Sequence, residues 1–208
     1  MERTYHLPRV YELLPARHAW SHWGDFGDVL VHGLVTSRAY SELPLRIERT
    51  GPYVPPLMLP GPVDVVVTDA VRARLQDLVR ELRFREVVKA RIVRVDWHTW
   101  KAAGLEPRFV PPSNEPADYV LAAPHDAELA ESLGPIWEIV PDLDMEIEDD
   151  EGRLCPENYY GQPFVRGRLC GGRNYVSEDF RAALEEVVPD HVTFSPARAV
   201  RRLRASRP

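Results

Sequence analysis

The amino-acid sequence predicts an α+β protein whose mixed or antiparallel sheet holds two related half-units, each a strand, a capped helix and a second strand. Residues 65–79, VVVTDAVRARLQDLV, and residues 174–188, NYVSEDFRAALEEVV, agree in kind at most positions when aligned at an offset of 109. Each has a β-rich run, a hydroxyl residue placed to cap a helix, an acidic first turn and an amphipathic pattern. The alternative is a chance match, because amphipathic helices are common.

The helical part of each half-unit carries one apolar stripe. In the first half-unit the apolar residues recur at i, i+4, i+7, i+8 and i+11, and they are Val71, Leu75, Leu78, Val79 and Leu82. In the second half-unit the pattern is repeated by Phe180, Leu184, Val187 and Val188. The first helix is therefore expected from Asp69 to about Leu82. Neither stretch contains a nucleophile, a metal-ligand cluster or a Gly-rich phosphate loop, so both indicate scaffold.

The composition is that of a soluble globular protein, with 44% hydrophobic and 28% charged residues in a chain of 208. The net charge of −6 argues against general binding to nucleic acid. We expect a single domain over residues 1–200, with half-units of about 1–112 and 113–200, and a basic tail over 201–208. The start lacks a secretory-signal pattern and no apolar run is long enough to span a membrane, so a cytoplasmic location is predicted.

Three segments precede the first half-unit. Residues 9–15, RVYELLP, are expected to form a short strand or a helical turn. In the next segment Gly24 and Gly27 should interrupt any helix. Residues 41–62 contain six prolines and predict an extended connection that runs along the surface.

Further strands are predicted over residues 63–67, 87–97, 118–122 and 191–194, and a short helix over 126–133. The second of these strands is indicated by alternating apolar and basic residues from Val88 to Val95. Residues 101–117, with four prolines, are expected to form a loop, and residues 153–173 an irregular Gly-rich segment.

The most distinctive chemical feature is an acidic stretch, which has seven acids in the ten residues 142–151. These acids are Asp142, Asp144, Glu146, Glu148, Asp149, Asp150 and Glu151. From 142 to 148 they alternate with apolar residues, which predicts a strand with one acidic face. Such a face suits the binding of a basic protein, because fixed charge speeds the encounter and disfavours wrong partners. The alternative is a solvated edge that charge protects from aggregation.

Two further sets of residues are candidate chemical sites. His18 and His22, with Asp25, Asp28 and His32, offer nitrogen and oxygen ligands for a metal, and packing against the core is the alternative. Cys155 and Cys170 are 15 residues apart and have no CxxC partner, so free thiols are expected. A catalytic cysteine would need a base, for which His125 and His191 are the candidates.

The run 174–196, NYVSEDFRAALEEVVPDHVTFSP, resembles the C-terminal signature of bacterial immunity proteins, which protect cells against polymorphic or contact-delivered toxins. The resemblance is to the large immunity family once classed as a domain of unknown function, in which a strand, a Ser-capped helix and a short strand ending in Phe close the chain. The double-CxxCG immunity family is similar in its ending and in the segment WSHWG at 20–24. Its CxxCG pairs are missing from this chain.

The resemblance implies a non-catalytic protein without a cofactor that inhibits a cognate toxin by binding it. With it, the acidic stretch is the expected partner-binding surface. The rival hypothesis is a metal-dependent hydrolase that uses His18, His22 and Asp25 or Asp28. A third is an assembly subunit that forms a homo-oligomer through a sheet edge.

Overall fold

The computed structural model describes residues 9–17, 24–36, 43–51, 54–61, 63–94, 116–142, 154–155, 159, 161–167 and 172–197. The helices in these ranges are α1 Asp25–His32, α2 Asp69–Leu78, α3 Pro116–Ala122, α4 Ala127–Ser132 and α5 Glu178–Val187. The strands are β1 Val10–Pro15, β2 Leu34–Val35, β3 Arg46–Arg49, β4 Leu57–Met58, β5 Val66–Thr68, β6 Arg83–Glu86, β7 Val88–Ile92, β8 Ile136–Val140, β9 Phe164–Arg166, β10 Asn174–Ser177 and β11 Val192–Pro196. The predicted α+β class is confirmed.

The strands form three sheets. The first-unit sheet has the order β4-β5-β8-β6, and the second-unit sheet has the order β9-β10-β1-β11. All neighbours in these two sheets are antiparallel. The third sheet, with the order β2-β3-β7, is mixed because β3 and β7 run parallel.

The two larger sheets are built in the same way, which confirms the predicted pair of half-units. In the first, α2 connects β5 to β6, and β8 lies between these strands, antiparallel to both. In the second, α5 connects β10 to β11, and β1 lies between them, again antiparallel to both. The outer strands β4 and β9 occupy equivalent places beside β5 and β10. Each half-unit is thus a β-α-β unit split by a strand from elsewhere in the chain.

The equivalence extends to side chains on the central strands. The guanidinium group of Arg72 lies 4.7 Å from the ring centroid of Trp137 on β8. That of Arg181 lies 4.4 Å from the ring centroid of Tyr11 on β1. The two arginines are separated by the same offset of 109 as the sequence repeat, and such cation–π contacts stabilise the sheet–helix junction. A chance similarity between two helices does not account for this agreement.

One hydrophobic core joins the half-units. It contains buried residues of both helices and of both large sheets, including the fully buried Leu75 of α2 and Leu184 of α5. The opposite face of the first-unit sheet packs on Leu45 and on Ile47, which belongs to β3 of the small sheet. The opposite face of the second-unit sheet packs on Leu154 and Tyr159. The helices α2 and α5 therefore supply apolar contacts that join the two half-units to which they belong.

Polar contacts also connect the two large sheets, where β5 and β10 begin. The carbonyl oxygen of Val63 accepts hydrogen bonds from the guanidinium group of Arg166, at 2.6 Å, and the side-chain amide of Asn174, at 3.0 Å. Arg166 also forms a mostly buried ion pair with Asp64, at 3.6 Å. Gly172 is required nearby, because it has a φ of +81° and a Cβ there would lie 2.3 Å from Val63 Cγ1.

The segment 118–122, predicted as a strand, lies in the helix α3. Pro116 stands at the first helical position, where its missing N–H costs nothing. The helix buries Val120 against Val29 of α1 and Val93. A five-residue run without clear alternation fits either structure, and packing on α1 selects the helix.

Two other predictions for the N-terminal half are wrong. Gly27 does not interrupt a helix but lies buried within α1, whose remaining buried residues supply the packing that offsets its low helix propensity. The proline-rich residues 41–62 do not simply run along the surface, since they include β3 and β4. These strands and their flanks bury Leu45, Ile47, Leu57 and Met58 completely.

Other predicted elements are confirmed with adjusted ends. The first-unit helix ends at Leu78, and β6 follows it, while the helix near residue 126 is α4. Asp126 caps α4 by accepting the N–H of Leu129 at 2.8 Å. A hydrogen bond from Arg94, followed by that cap, lowers the pKa of Asp126. The longest helices in the described ranges have ten residues, and none combines the length and apolar character that a membrane span requires.

The two equivalent helix caps should contribute unequally to stability. The hydroxyl oxygen of Ser177 accepts the N–H of Phe180 at 3.1 Å, whereas Thr68 makes no such bond to α2. We expect Ser177→Ala to lower the free energy of unfolding by about 1 kcal/mol and Thr68→Ala to lower it less. Urea unfolding followed by circular dichroism measures both, and equal losses would contradict the assignment.

Below about pH 6.5, His191 should destabilise the fold. Burial lowers the pKa of His191 from its ordinary 6.5, against the opposing effect of Asp190. As the pH falls through the ordinary value, the unfolded chain takes up a proton that the folded chain does not, so stability decreases. The variant His191→Gln should lose less stability between pH 7 and pH 5 than the unchanged protein. Parallel losses in urea titrations at the two pH values would contradict this.

Candidate functional site

The acidic stretch begins where the two large sheets meet. Asp142 follows β8 closely and forms a parallel bridge with Val165 of β9. Its backbone N–H donates to the carbonyl oxygen of Phe164 at 3.0 Å, and its own carbonyl oxygen accepts from Arg166 at 3.4 Å. The chain leaving the first-unit sheet therefore continues beside the outer strand of the second-unit sheet.

The side chain of Asp142 is an anchor for this junction. It forms an ion pair with Arg83, the first residue of β6, and is only 37% exposed. Arg83 also donates to the carbonyl oxygen of Pro141 at 3.3 Å. Asp142 is one of the residues predicted to bind a partner, and in the structure its carboxylate pairs with Arg83. The other six predicted residues, Asp144, Glu146, Glu148, Asp149, Asp150 and Glu151, lie outside the described residues, as does the predicted strand that contains them.

The far side of the acidic stretch is anchored on the same sheet. Leu154 and Cys155 are each 3% exposed, and Leu154 packs with Val165 and Tyr175 on the outer face of the second-unit sheet. Tyr159 packs in the same cluster, and burial raises its pKa to about 12. It therefore stays neutral at physiological pH and serves packing. Residues 143–153 connect two fixed points on one sheet.

The chemistry of the stretch is electrostatic. With Asp142 paired to Arg83, six carboxylates remain in the eight residues from 144 to 151. Such a concentration of negative charge attracts a cationic surface over about one Debye length, roughly 8 Å at physiological salt. Attraction of a basic surface is what these residues can do.

A second feature is a cleft of about 700 Å³ beside α1. It contains three of the predicted metal ligands, Asp25, Asp28 and His32, together with apolar walls that include Val29 and Leu59. His32 is buried, and its Nδ1 accepts the backbone N–H of Leu59 at 3.0 Å. That bond fixes the imidazole between α1 and the chain after β4. The interaction gives His32 a structural role in holding α1.

The cleft does not assemble a metal site from the described residues. Within those ranges, no group of three or more His, Cys, Asp and Glu residues could hold a metal ion. The other two predicted ligands, His18 and His22, lie outside the described residues. The structure therefore brings the acids and His32 to one cleft without making them a ligand set.

The cysteine hypothesis receives no support from the described geometry. Cys155 is a buried cysteine, and Cys170 lies outside the described residues. Nδ1 of His125 accepts the backbone N–H of Ile92 at 3.0 Å, so that nitrogen serves the fold. His191 lies between α5 and β11, where its carbonyl oxygen accepts from Ala16. The ring of His125 therefore has one nitrogen engaged by the backbone, and for neither histidine does the described part of the structure show a contact with a cysteine.

Comparison with known proteins finds no matching family model, no matching curated protein and no matching solved structure. The resemblance to immunity proteins therefore stays a prediction.

The role of His32 can be tested together with the metal hypothesis. We expect elemental analysis of the purified protein to find no stoichiometric metal. We expect His32→Ala to lower the free energy of unfolding by about 1–3 kcal/mol, because the N–H of Leu59 loses its acceptor in a part-buried site. A metal bound at one equivalent and lost in His18→Ala would contradict the structural assignment.

Proposed function

We propose that this protein is an immunity protein that binds a cognate bacterial toxin and neutralises it by covering the toxin's active site. In this proposal it has no catalytic activity and no cofactor of its own. The observation that carries the proposal is the anchoring of the acidic stretch, at Asp142 on one side and at Leu154 on the other, to the second-unit sheet.

Anchoring at both sides favours binding for two physical reasons. The fixed ends limit how far the carboxylates between them can lie from the sheet, which reduces the entropy cost of association. They also keep the six carboxylates close to a rigid body, so that an approaching protein meets them in one region of the surface. A charged stretch attached at one end would gain less from either effect.

The charge identifies the chemistry of the partner. A stretch with this many carboxylates suits a toxin with a basic surface, such as an enzyme that acts on nucleic acid. Occlusion then follows from location, because a nucleic-acid enzyme carries its cationic groups around its active site. The acidic stretch competes with the phosphate backbone for the same groups.

The metal-dependent hydrolase is a second candidate, and the cleft beside α1 is the observation that favours it. The cleft contains Asp25, Asp28 and His32, and an enzyme of this kind would need the described acids together with His18 and His22. The elemental analysis described above separates the candidates. One equivalent of metal supports the hydrolase, whereas its absence leaves the binding function.

The binding function is tested by co-expression with the product of the adjacent gene. We expect the two proteins to co-purify and the toxin's activity to be lost in the complex. Absence of a complex with every product of the neighbouring genes would refute the proposal.

The acidic stretch is tested within that complex. Because Asp142 pairs with Arg83, we leave it unchanged and replace Asp144, Glu146 and Glu148 by serine. The association rate constant at low salt should fall by about tenfold or more, and the dependence of affinity on salt should weaken. Surface plasmon resonance at two salt concentrations measures both.

A matched control removes three exposed acids elsewhere. The triple variant Glu128→Ser, Glu131→Ser and Asp190→Ser changes the net charge equally, at exposed positions on α4 and after α5. It should leave the association rate within about twofold. Equal effects of the two variants would show that total charge, and not the acidic stretch, governs the encounter.

A further inference from the structure

A groove of about 590 Å³ lies between the C-terminal end of α2 and one face of α5, from Asp179 to Glu186. Val79 and Ala183 are the buried residues of its lining. Leu78 lines it too and is 47% exposed, which is high for a large apolar side chain at the end of a packed helix. Pro163, just before β9, contributes to the lining from the second-unit sheet.

The described ionisable side chains that line the groove are acidic. They are Glu81, Asp179 and Glu186, and all three are exposed. Asp179 lies in the first turn of α5, where the helix dipole favours its negative charge. Glu186 forms an ion pair with Arg74 at 3.2 Å, and both side chains are more than half exposed, so solvent weakens that pair. The groove therefore combines apolar lining with a negative rim.

Two residues of the groove lining are close in the chain to residues that contact Asp142, the start of the acidic stretch. Glu81 is two residues before Arg83, the ion-pair partner of Asp142. Pro163 directly precedes Phe164, whose carbonyl oxygen accepts the N–H of Asp142. A partner that contacts the acidic stretch near its first residue would also reach the groove.

We propose that the groove is a docking site for a basic segment of the partner protein, in which one apolar side chain is flanked by lysines or arginines. The apolar side chain packs on Leu78 and Ala182, and the cations face Glu81, Asp179 and Glu186. Naming the toxin as the owner of this segment rests on the proposed function, to which the groove adds a second contact. The charge complementarity of the rim selects this occupant.

Two other occupants are distinguished by the test. One is the arginine-rich end of this chain, residues 198–208, which follows Ala197 beside Val10. The other is a second copy of the protein.

The experiment measures binding of a synthetic basic peptide to the full-length protein. The probe is a fluorescent twelve-residue helical peptide with one leucine flanked by four arginines, and its control has serine in place of the leucine. The groove variant is Leu78→Ser with Glu81→Lys. The matched control variant is Leu121→Ser with Glu131→Lys, which makes the same changes at an exposed leucine of α3 and an exposed acid of α4. Circular dichroism and the unfolding midpoint confirm that both variants fold.

We expect the groove variant to bind the leucine peptide at least about tenfold more weakly than the unchanged protein, and the control variant to bind within about twofold. The serine peptide should bind the unchanged protein about tenfold more weakly than the leucine peptide. Equal weakening by the two variants, or equal affinity for the two peptides, would overturn the proposal, since charge alone would then explain the binding.

The remaining outcomes concern the occupant. If Arg201→Ser, Arg202→Ser and Arg204→Ser together raise the peptide affinity tenfold, the groove holds the chain's own end, and the proposal is wrong. If the groove variant instead dissociates a dimer in light scattering, the occupant is a second copy, and the proposal is also wrong. Once the toxin is identified, its binding to the groove variant is measured. Unchanged toxin binding overturns the proposed docking site and leaves the proposed function intact. If no toxin binds, the function fails while the peptide result still decides the groove.

Discussion

In each β-α-β unit a gap separates the two parallel strands, and a third strand has to fill it. The rest of the structure depends on this constraint. β5 and β6 run parallel and are not neighbours, and the same holds for β10 and β11. The backbone groups that face each gap need hydrogen-bond partners, because buried unpaired groups are costly. Distant segments of the chain, β8 and β1, supply them. Once these strands are in place, α2 and α5 cover one face of each sheet and meet in a common core.

The same constraint positions the candidate site. The chain has to leave the middle of the first-unit sheet after β8, and it does so beside β9, where Asp142 bridges to Val165. The acidic residues that follow are thereby attached to the second half-unit, although the strand before them belongs to the first. The groove has a similar origin, since it is formed where the C-terminal end of α2 meets one face of α5. Both features arise at the contact between the half-units.

Much of the fold could be predicted from local patterns, and the site only in part. The offset of 109 and the apolar stripes were sufficient for both helices and for the strands that precede them, because these helices are amphipathic. The segment 118–122 could not be assigned, since its helix depends on packing of Val120 with α1. The acidic stretch was visible in the composition. The pairing of Asp142 with Arg83 was not, because it joins residues far apart in the chain, and β6 itself had not been predicted.

The central position of β1 has a consequence for the order of assembly. During synthesis β1 is made long before its partner strands, because Val10 pairs with Ser177 and Pro15 pairs with Val192. The strands of the first-unit sheet are all made by the time Val140 has been added. The second-unit sheet has to wait for nearly the whole chain, with β1 unpaired in the meantime. Such long-range pairing is slow and leaves a strand exposed to wrong partners. Of the described strands, β1 is therefore made first, but it can pair only after β10 and β11 have been made. Its pairing completes the second-unit sheet.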